Sequence, residues 1–340
     1  MSSVTSPNML SAVPVSSTQH PPRKFLFNLP DFSPDIKVTC AQDVPDKLKD
    51  GLLKYGAFTE WLKTLRLSLA LQEKEGVKDD KGVEHPHPFR EDPYILREVY
   101  IQAVDYFGPN IGFLKFDAVI KNSQGEDTKS KKDVVIKNSE GDDEKKPDPF
   151  LPGKIFMRGS SVAMLMILRP NDSNDERYVI MTEQPRVPAG SLRFLGIPAG
   201  MIDGEKNFVG KAAKEIEEET GMKIPESELV DMTKLALEAS PNLENLKAAM
   251  YPSPGGSDEF IALFLWEKKM ERLAIEALKD QLTGLRSQGE MITLKIINYE
   301  ELWRVASRDA KTMVSWALYE SLKRAGKLND NGHVVGGKPK

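Results

Sequence analysis

Of the four glutamates between Phe208 and Thr220, three, Glu215, Glu218 and Glu219, are spaced i, i+3 and i+4. In a helix these share one face, while Ala212 and Ile216 lie on another that is suited to packing. Gly221 supplies the stop. Clustered carboxylates repel and cost a helix stability unless a cation sits among them. A Glu run of this kind therefore reads either as a solvated face or as an oxygen-ligand site for a cation. Composition bears on the choice. The chain has four histidines (His20, His85, His87 and His333) and one cysteine, Cys40. That supply argues against a zinc site. A metal here would be held by carboxylates, which points to Mg²⁺ or Mn²⁺.

The 340 residues fit one large or two modest domains. The balance of 47 basic against 51 acidic residues, net −4, speaks against a dedicated nucleic-acid binder. The lone cysteine excludes an intrachain disulfide framework and fits a reducing compartment. No stretch approaches the roughly 20 apolar residues of a bilayer span, so neither nucleic acid nor membrane is an expected partner. The first thirty residues contain no Asp or Glu and are rich in Ser, Thr and Pro. They read as a tail on a cytoplasmic protein, with organelle targeting as the alternative.

Hydrophobic spacing divides the rest. Residues 1–45 are expected to be a disordered tail. Asp46 to Gln72 reads as helical, with Phe58, Trp61, Leu62 and Leu65 on one face. Glu73 to Pro88 reads as a loop. Ile95 to Val104 and Ile111 to Ile120 read as strands about a Gly108-Pro109-Asn110 turn. Together, 46–121 form a helical prelude and a small antiparallel β unit. Residues 122–149 read as a charged, low-complexity insertion in which Val119–Asp127 is echoed at Val135–Asp143. From 155 to 326 the pattern is regular. Strands are expected at Ser161–Leu168, Tyr178–Glu183, Phe260–Trp266 and Met291–Asn298, with helices at Phe208–Thr220 and about Asp309–Ala325. The class is α/β or α+β, in packed layers. Residues 327–340 read as a second disordered tail.

Around the glutamates the spacing is specific. Gly200 is followed by five residues, a sixth position, seven more, and then Lys214-Glu215-Ile216-x-Glu218-Glu219-x-Gly221-Met222. This resembles the box of the Nudix hydrolases, with two departures: Lys206 stands where the family has its first Glu, and Lys214 where it has Arg. Lysine supplies charge without a guanidinium's two-pronged grip on a carboxylate, so the departures bear on the ordering of the site. Flanking segments look like the ADP-ribose and ADP-sugar diphosphatase branch. They include Thr182–Pro188, Ile197–Gly200, Tyr251–Glu259, Gly284–Glu290, Asp105–Phe116 and Glu301–Arg304. The resemblance covers roughly residues 90 to 326.

The resemblance implies a Nudix α/β/α sandwich preceded by the small antiparallel unit, and a homodimer. It implies metal ligation by Glu215, Glu218, Glu219 and the Ala199 carbonyl, with Mg²⁺ (or Mn²⁺) as cofactor. Glu218 and Glu290 become the catalytic carboxylates, Glu290 as a general base or further ligand. Arg186, Gly255, Gly256, Asp258 and Glu259 become substrate contacts. On chemistry alone, Glu290 is a solvated strand end, Arg186 suits a phosphate or carboxylate, and Gly255-Gly256 is a turn that lets a ligand approach backbone N–H groups. The expected reaction is hydrolysis of the pyrophosphate of ADP-ribose or ADP-glucose to AMP and a sugar phosphate. The competing readings are a non-catalytic nucleotide-sugar binder that regulates a partner, and a Nudix pyrophosphatase for another conjugate such as coenzyme A or a capped RNA end.

Overall fold

The computed structural model describes residues 22–29, 35–73, 76–78, 84–125, 149–202, 208–238, 244–285 and 289–335. The N-terminal module comprises β1 (Arg23–Leu29), β2 (Ile36–Ala41), α1 (Leu48–Gly51), α2 (Gly56–Ala70), the short pair β3 (Val77–Lys78) and β4 (Glu84–His85), β5 (Ile95–Phe107), β6 (Asn110–Lys121) and β7 (Lys154–Met157). Its sheet runs in the order β1-β2-β5-β6-β7. The long β5–β6 hairpin turns at Gly108, whose φ of 60° suits a residue without a side chain. Helix α2 covers one sheet face. Phe58 is fully buried, and Trp61, Leu62 and Leu65 pack on the same cluster as Phe116. The Phe58, Trp61 and Phe116 rings meet at 4.9–5.9 Å.

Four expectations change here. The supposed 1–45 tail contains two strands. Ile36, Val38 and Cys40 alternate with Lys37 and Thr39, and all three are buried in the module core. Such a period-2 pattern is short and easily lost among prolines. The expected antiparallel unit forms as β5–β6, but within a larger, mixed sheet in which β2 pairs with β5 in parallel. The helical prelude breaks at Tyr55, whose ψ of 109° is extended. Residues 155–157 pair with β6 and so belong to the first module. Of the insertion, residues 126–148 lie outside the described residues. Its edges are folded: Asn122 is buried, and Phe150 bridges to Lys121.

The second module is built on β8 (Ser161–Pro170), β9 (Tyr178–Arg186), β10 (Ser191–Gly196), β11 (Ala199–Met201), β12 (Val230–Asp231), β13 (Ile261–Met270), β14 (Leu282–Thr283) and β15 (Ile292–Asn298). The helices are α3 (Phe208–Thr220), α4 (Met232–Leu237), α5 (Arg272–Ala277), α6 (Leu302–Val305) and α7 (Ala310–Arg324). The main path is β12-β13-β8-β9-β15-β14, with β10 on β9 and β11 on β8. The central pair, β8 and β13, is parallel.

Both of these strands are apolar without alternation because both faces are covered. Ala163, Leu165 and Ile167 of β8, with Leu263 and Leu265 of β13, pack with Tyr319 and Leu322 of α7. Val162, Met164 and Met166, with Ala262, Phe264 and Trp266, pack with Ala212 and Ile216 of α3. This is an α/β/α sandwich. Each fully buried Leu, Ile or Met in it contributes about 1.5–3 kcal/mol. The second expected tail also shortens, since Leu328 is buried and bridges to Val334, and Arg169 Nη2 donates to the Asp330 carbonyl at 2.9 Å.

Candidate active site

Helix α3 lies on the sheet through Ala212 and Ile216, which are 2% and 1% exposed. Its last turn is tied off locally. The Thr220 hydroxyl donates to the Ile216 carbonyl at 2.6 Å, and Gly221, at φ 74°, donates its N–H to the Glu217 carbonyl. These anchors place the next face, with Glu215, Glu218 and Glu219, against β11 and the loops above it.

Three details define the carboxylate face. Glu215 lies on the Cα of Gly200, where any β-carbon would fall inside its carboxylate. Glycine at 200 is thus a requirement of packing. Glu215 also accepts from Lys211 Nζ at 2.9 Å, and both side chains are mostly buried. Glu218 meets Lys214 Nζ at 3.5 Å, where the lysine is exposed. Glu219 is the most enclosed, at 6% exposure, and accepts from the Ala199 N–H at 3.0 Å. Its backbone carbonyl accepts from Thr283 Oγ1 at 2.5 Å.

Burial governs the electrostatics. It pushes the Glu219 carboxyl up to about 7, against the pull of the Ala199 N–H, Arg186 and Gln184. Burial likewise raises Glu215, assisted by the like charges of Glu218 and Glu290 and opposed by Lys211. Removing carboxylates from water favours the neutral form. A divalent cation reverses that preference. The donor set, all hard oxygen on one helix face with Glu219 deeply desolvated, fits Mg²⁺ or Mn²⁺. Among the described residues, however, no three His, Cys, Asp or Glu side chains converge closely enough to hold an ion. Glu215 and Glu218 are turned onto their own lysines.

The other sequence-derived candidates fall into two groups. Arg186 ends β9, is exposed, and acts electrostatically on Glu219. Glu290 is exposed and acts on Glu215, while its Oε2 accepts from the Leu285 N–H at 3.1 Å and closes its own loop. Both therefore lie close enough for their charges to act on the helix carboxylates.

Gly255, Gly256, Asp258 and Glu259 form the second group, a loop stitched to the N-terminal module. Phe156 N–H donates to the Gly256 carbonyl at 2.8 Å. Asp258 accepts from the backbone N–H groups of Arg158 at 2.8 Å and Gly159 at 3.2 Å, and burial raises its carboxyl. Glu259 pairs with Arg158 Nη1 at 3.1 Å. Asp258 and Glu259 thus use their carboxylates to brace the loop. The braced loop borders a cleft of about 1590 Å³ between the modules. Tyr55, Trp61 and Tyr106 line one side, and Phe208, Tyr251 and Gly255 the other.

Lys206 and its neighbours 203–207 lie outside the described residues. Three participants went unread in the sequence. Lys211 was legible, since it stands four residues before Glu215. Gln184 and Arg158 carried no such signal, because they reach their partners only through the fold.

No family model matches the chain. Over 232 residues, 68% of its length, the chain is 40% identical to Nudix hydrolase 14, chloroplastic, of Arabidopsis thaliana. The aligned part spans 64% of that relative's length.

Proposed function

We propose that this chain works as a hydrolase of the Nudix family, an assignment its relative's identity supports, and that it cleaves the pyrophosphate of an ADP-sugar such as ADP-ribose or ADP-glucose to AMP and a sugar phosphate. The observation that carries the reading is the enclosed Glu219 beside Glu215 and Glu218, on a helix seated over Gly200. Mg²⁺ or Mn²⁺, held by Glu215, Glu218 and Glu219 with the Ala199 carbonyl, would neutralise pyrophosphate charge and make water more acidic.

The chain's own residues supply the rest. Arg186, at the mouth of the site, offers a planar fork to a phosphate oxygen. Glu290 faces the same carboxylates from the opposite loop and orients the attacking water or takes its proton. The intermodule cleft, with its aromatic walls, suits the nucleoside end of the substrate. Positioning and charge stabilisation dominate such chemistry.

The chain is proposed to act as a homodimer. Phe107, Phe113 and Phe156 form a ring ladder with centroids 4.9 and 5.3 Å apart, and Phe107 and Phe156 are about half exposed. An exposed aromatic ladder of this kind suits a second protein surface. Among the described residues no helix is long and apolar enough to cross a membrane. The relative's name places that protein in the chloroplast, in keeping with organelle targeting by the N-terminal tail, of which residues 1–21 lie outside the described residues.

The lysine pairings at Glu215 and Glu218 favour one second reading, a nucleotide-sugar binder without turnover. One assay separates the two. A panel of nucleotide sugars, coenzyme A and capped RNA is incubated with the full chain and Mg²⁺, and both binding and release of the nucleotide product (AMP from an ADP-sugar) are followed. Release from ADP-sugars is the expected result. Binding without release would establish the second reading, and selective turnover of a non-adenine substrate would overturn the branch.

A further inference from the structure

The carboxylate face contains a cation of its own. Lys211 sits one helical turn before Glu215, with its Nζ 2.9 Å from Oε1, and the two side chains are 12% and 16% exposed. Glu215 Oε2 is pressed on the Cα of Gly200. One oxygen is therefore held by backbone shape and the other by an ammonium. Among the described residues no three acidic side chains converge. The neighbouring pair differs: Lys214 is 65% exposed and stands 3.5 Å from Glu218. That is a solvated i,i+4 pair of small consequence. The Lys211 pair is sheltered from water, so its attraction is less screened.

We propose that Lys211 is an internal counter-cation, occupying Glu215 in the metal-free protein and displaced when a divalent ion binds. This rests on the metal-dependent reading above. It adds that the site has two states, lysine-bound and ion-bound. The apparent affinity for the ion is then lowered by the fraction of protein in the lysine-bound state. Lys211 is a positioning residue in this scheme: it sets the Glu215 rotamer and the ion concentration at which the site fills, while touching neither substrate nor reacting atoms.

The test uses Mn²⁺ alone as the probe, with bound ion read by electron paramagnetic resonance on the full chain and no turnover involved. Lys211→Met and Lys211→Gln leave Glu215 without its ammonium and are expected to bind Mn²⁺ about fivefold more tightly than the parent chain. Lys214→Met, on the exposed pair, is expected to shift affinity by less than about twofold. Lys211→Arg provides the reversed sign. It keeps the charge and grips the carboxylate with two donors, so Mn²⁺ should bind more weakly than to the parent. It also keeps the test decisive should loss of the ammonium prevent folding.

Mn²⁺ binding that is equal or weaker in the Met and Gln variants, with native circular dichroism, would overturn the role of Lys211 alone. So would an Arg variant that binds as tightly as the parent. Failure of every protein to bind Mn²⁺ would overturn the metal-dependent reading itself, and the counter-cation with it.

Discussion

The second module treats buried carboxylates in two ways, on opposite faces of one sheet. On the α7 side, Glu267 and Glu320 are held by guanidinium and phenol groups. Glu267, 2% exposed in its side chain, is ion-paired to Arg169 and accepts from Tyr319 at 2.9 Å. Glu320 accepts from the Tyr299 hydroxyl, and Arg177 stacks 3.8 Å from that ring. On α3, Glu215 and Glu218 have lysines, and Glu219, the most deeply placed, has a backbone N–H and a nearby amide but no ion pair among the described residues. A planar fork commits a carboxylate to one geometry, whereas an ammonium is a point charge that another cation can replace. Carboxylates that serve the fold are locked. Those on α3 are stored in an exchangeable form at a cost in stability, as is usual where function sets the residue.

The largest test of that contrast removes the charge from Glu219. In Glu219→Gln, turnover of the ADP-sugar found active in the panel should fall at least about 100-fold, the scale of losing one transition-state stabiliser. Stability should move the other way. With the folded carboxyl at about 7 and the unfolded one near 4.5, the native state binds more protons between those values. Metal-free stability therefore falls as pH rises from about 4.5 to 7. By about pH 8 the cost is about 3 kcal/mol, and the glutamine variant should regain it. Urea unfolding in chelator at pH 5 and pH 8 measures both limbs. A variant no more stable than the parent at pH 8 would show that Glu219 is locked like Glu267.

How much of this was readable from the sequence follows from how far apart the partners lie. The three glutamates, Gly221 and the apolar stripe of Ala212 and Ile216 fall within one helix, so periodicity exposes them. Lys211 obeys the same arithmetic and is legible once the i,i+4 rule is applied to cations as well. The packing role of Gly200 against Glu215 is different. Its spacing marks it as special, but only the crossing of β11 over α3 gives the reason. Arg158, Gln184 and the arginines beneath α7 find their partners across strands far apart in the chain, and no local pattern announces such a pair. Strands β1 and β2 are hard to read because seven and six residues, the first with a register shift, carry little periodic signal beside a proline-rich segment.

The loop of Asp258 stands between the two extremes, and its test is of intermediate size. Its carboxylate is partly buried and caps the N–H groups of Arg158 and Gly159, so it is structural in partner but sits on the cleft wall. Asp258→Ala should cost about 2 kcal/mol, the scale of lost hydrogen bonds to a charged group. Because the loop borders the cleft and lies apart from the α3 carboxylates, KM for the ADP-sugar should rise more than kcat falls. An equal fall in kcat and kcat/KM would move Asp258 into the transition state's surroundings.

The smallest effect is expected where a carboxylate is locked and also exposed. Arg272 grips Asp172 and Glu176 with four contacts of 2.9 Å. That guanidinium, with the Tyr178 hydroxyl, holds Glu176 down at about 2. A depressed carboxyl contributes stability above its unfolded value near 4.5 and loses it as pH falls toward 2, the opposite slope to Glu219. Both groups are solvent-screened, so the contribution at neutral pH is small. Arg272→Met should therefore leave the unfolding midpoint at pH 7 nearly unchanged and flatten the acid limb between pH 4.5 and 2. Turnover and Mn²⁺ binding should stay at parental values, because the pair shares no partner with α3. A change in metal affinity in this variant would mean that this exposed pair is coupled to α3, and the division between locked and exchangeable carboxylates would no longer hold.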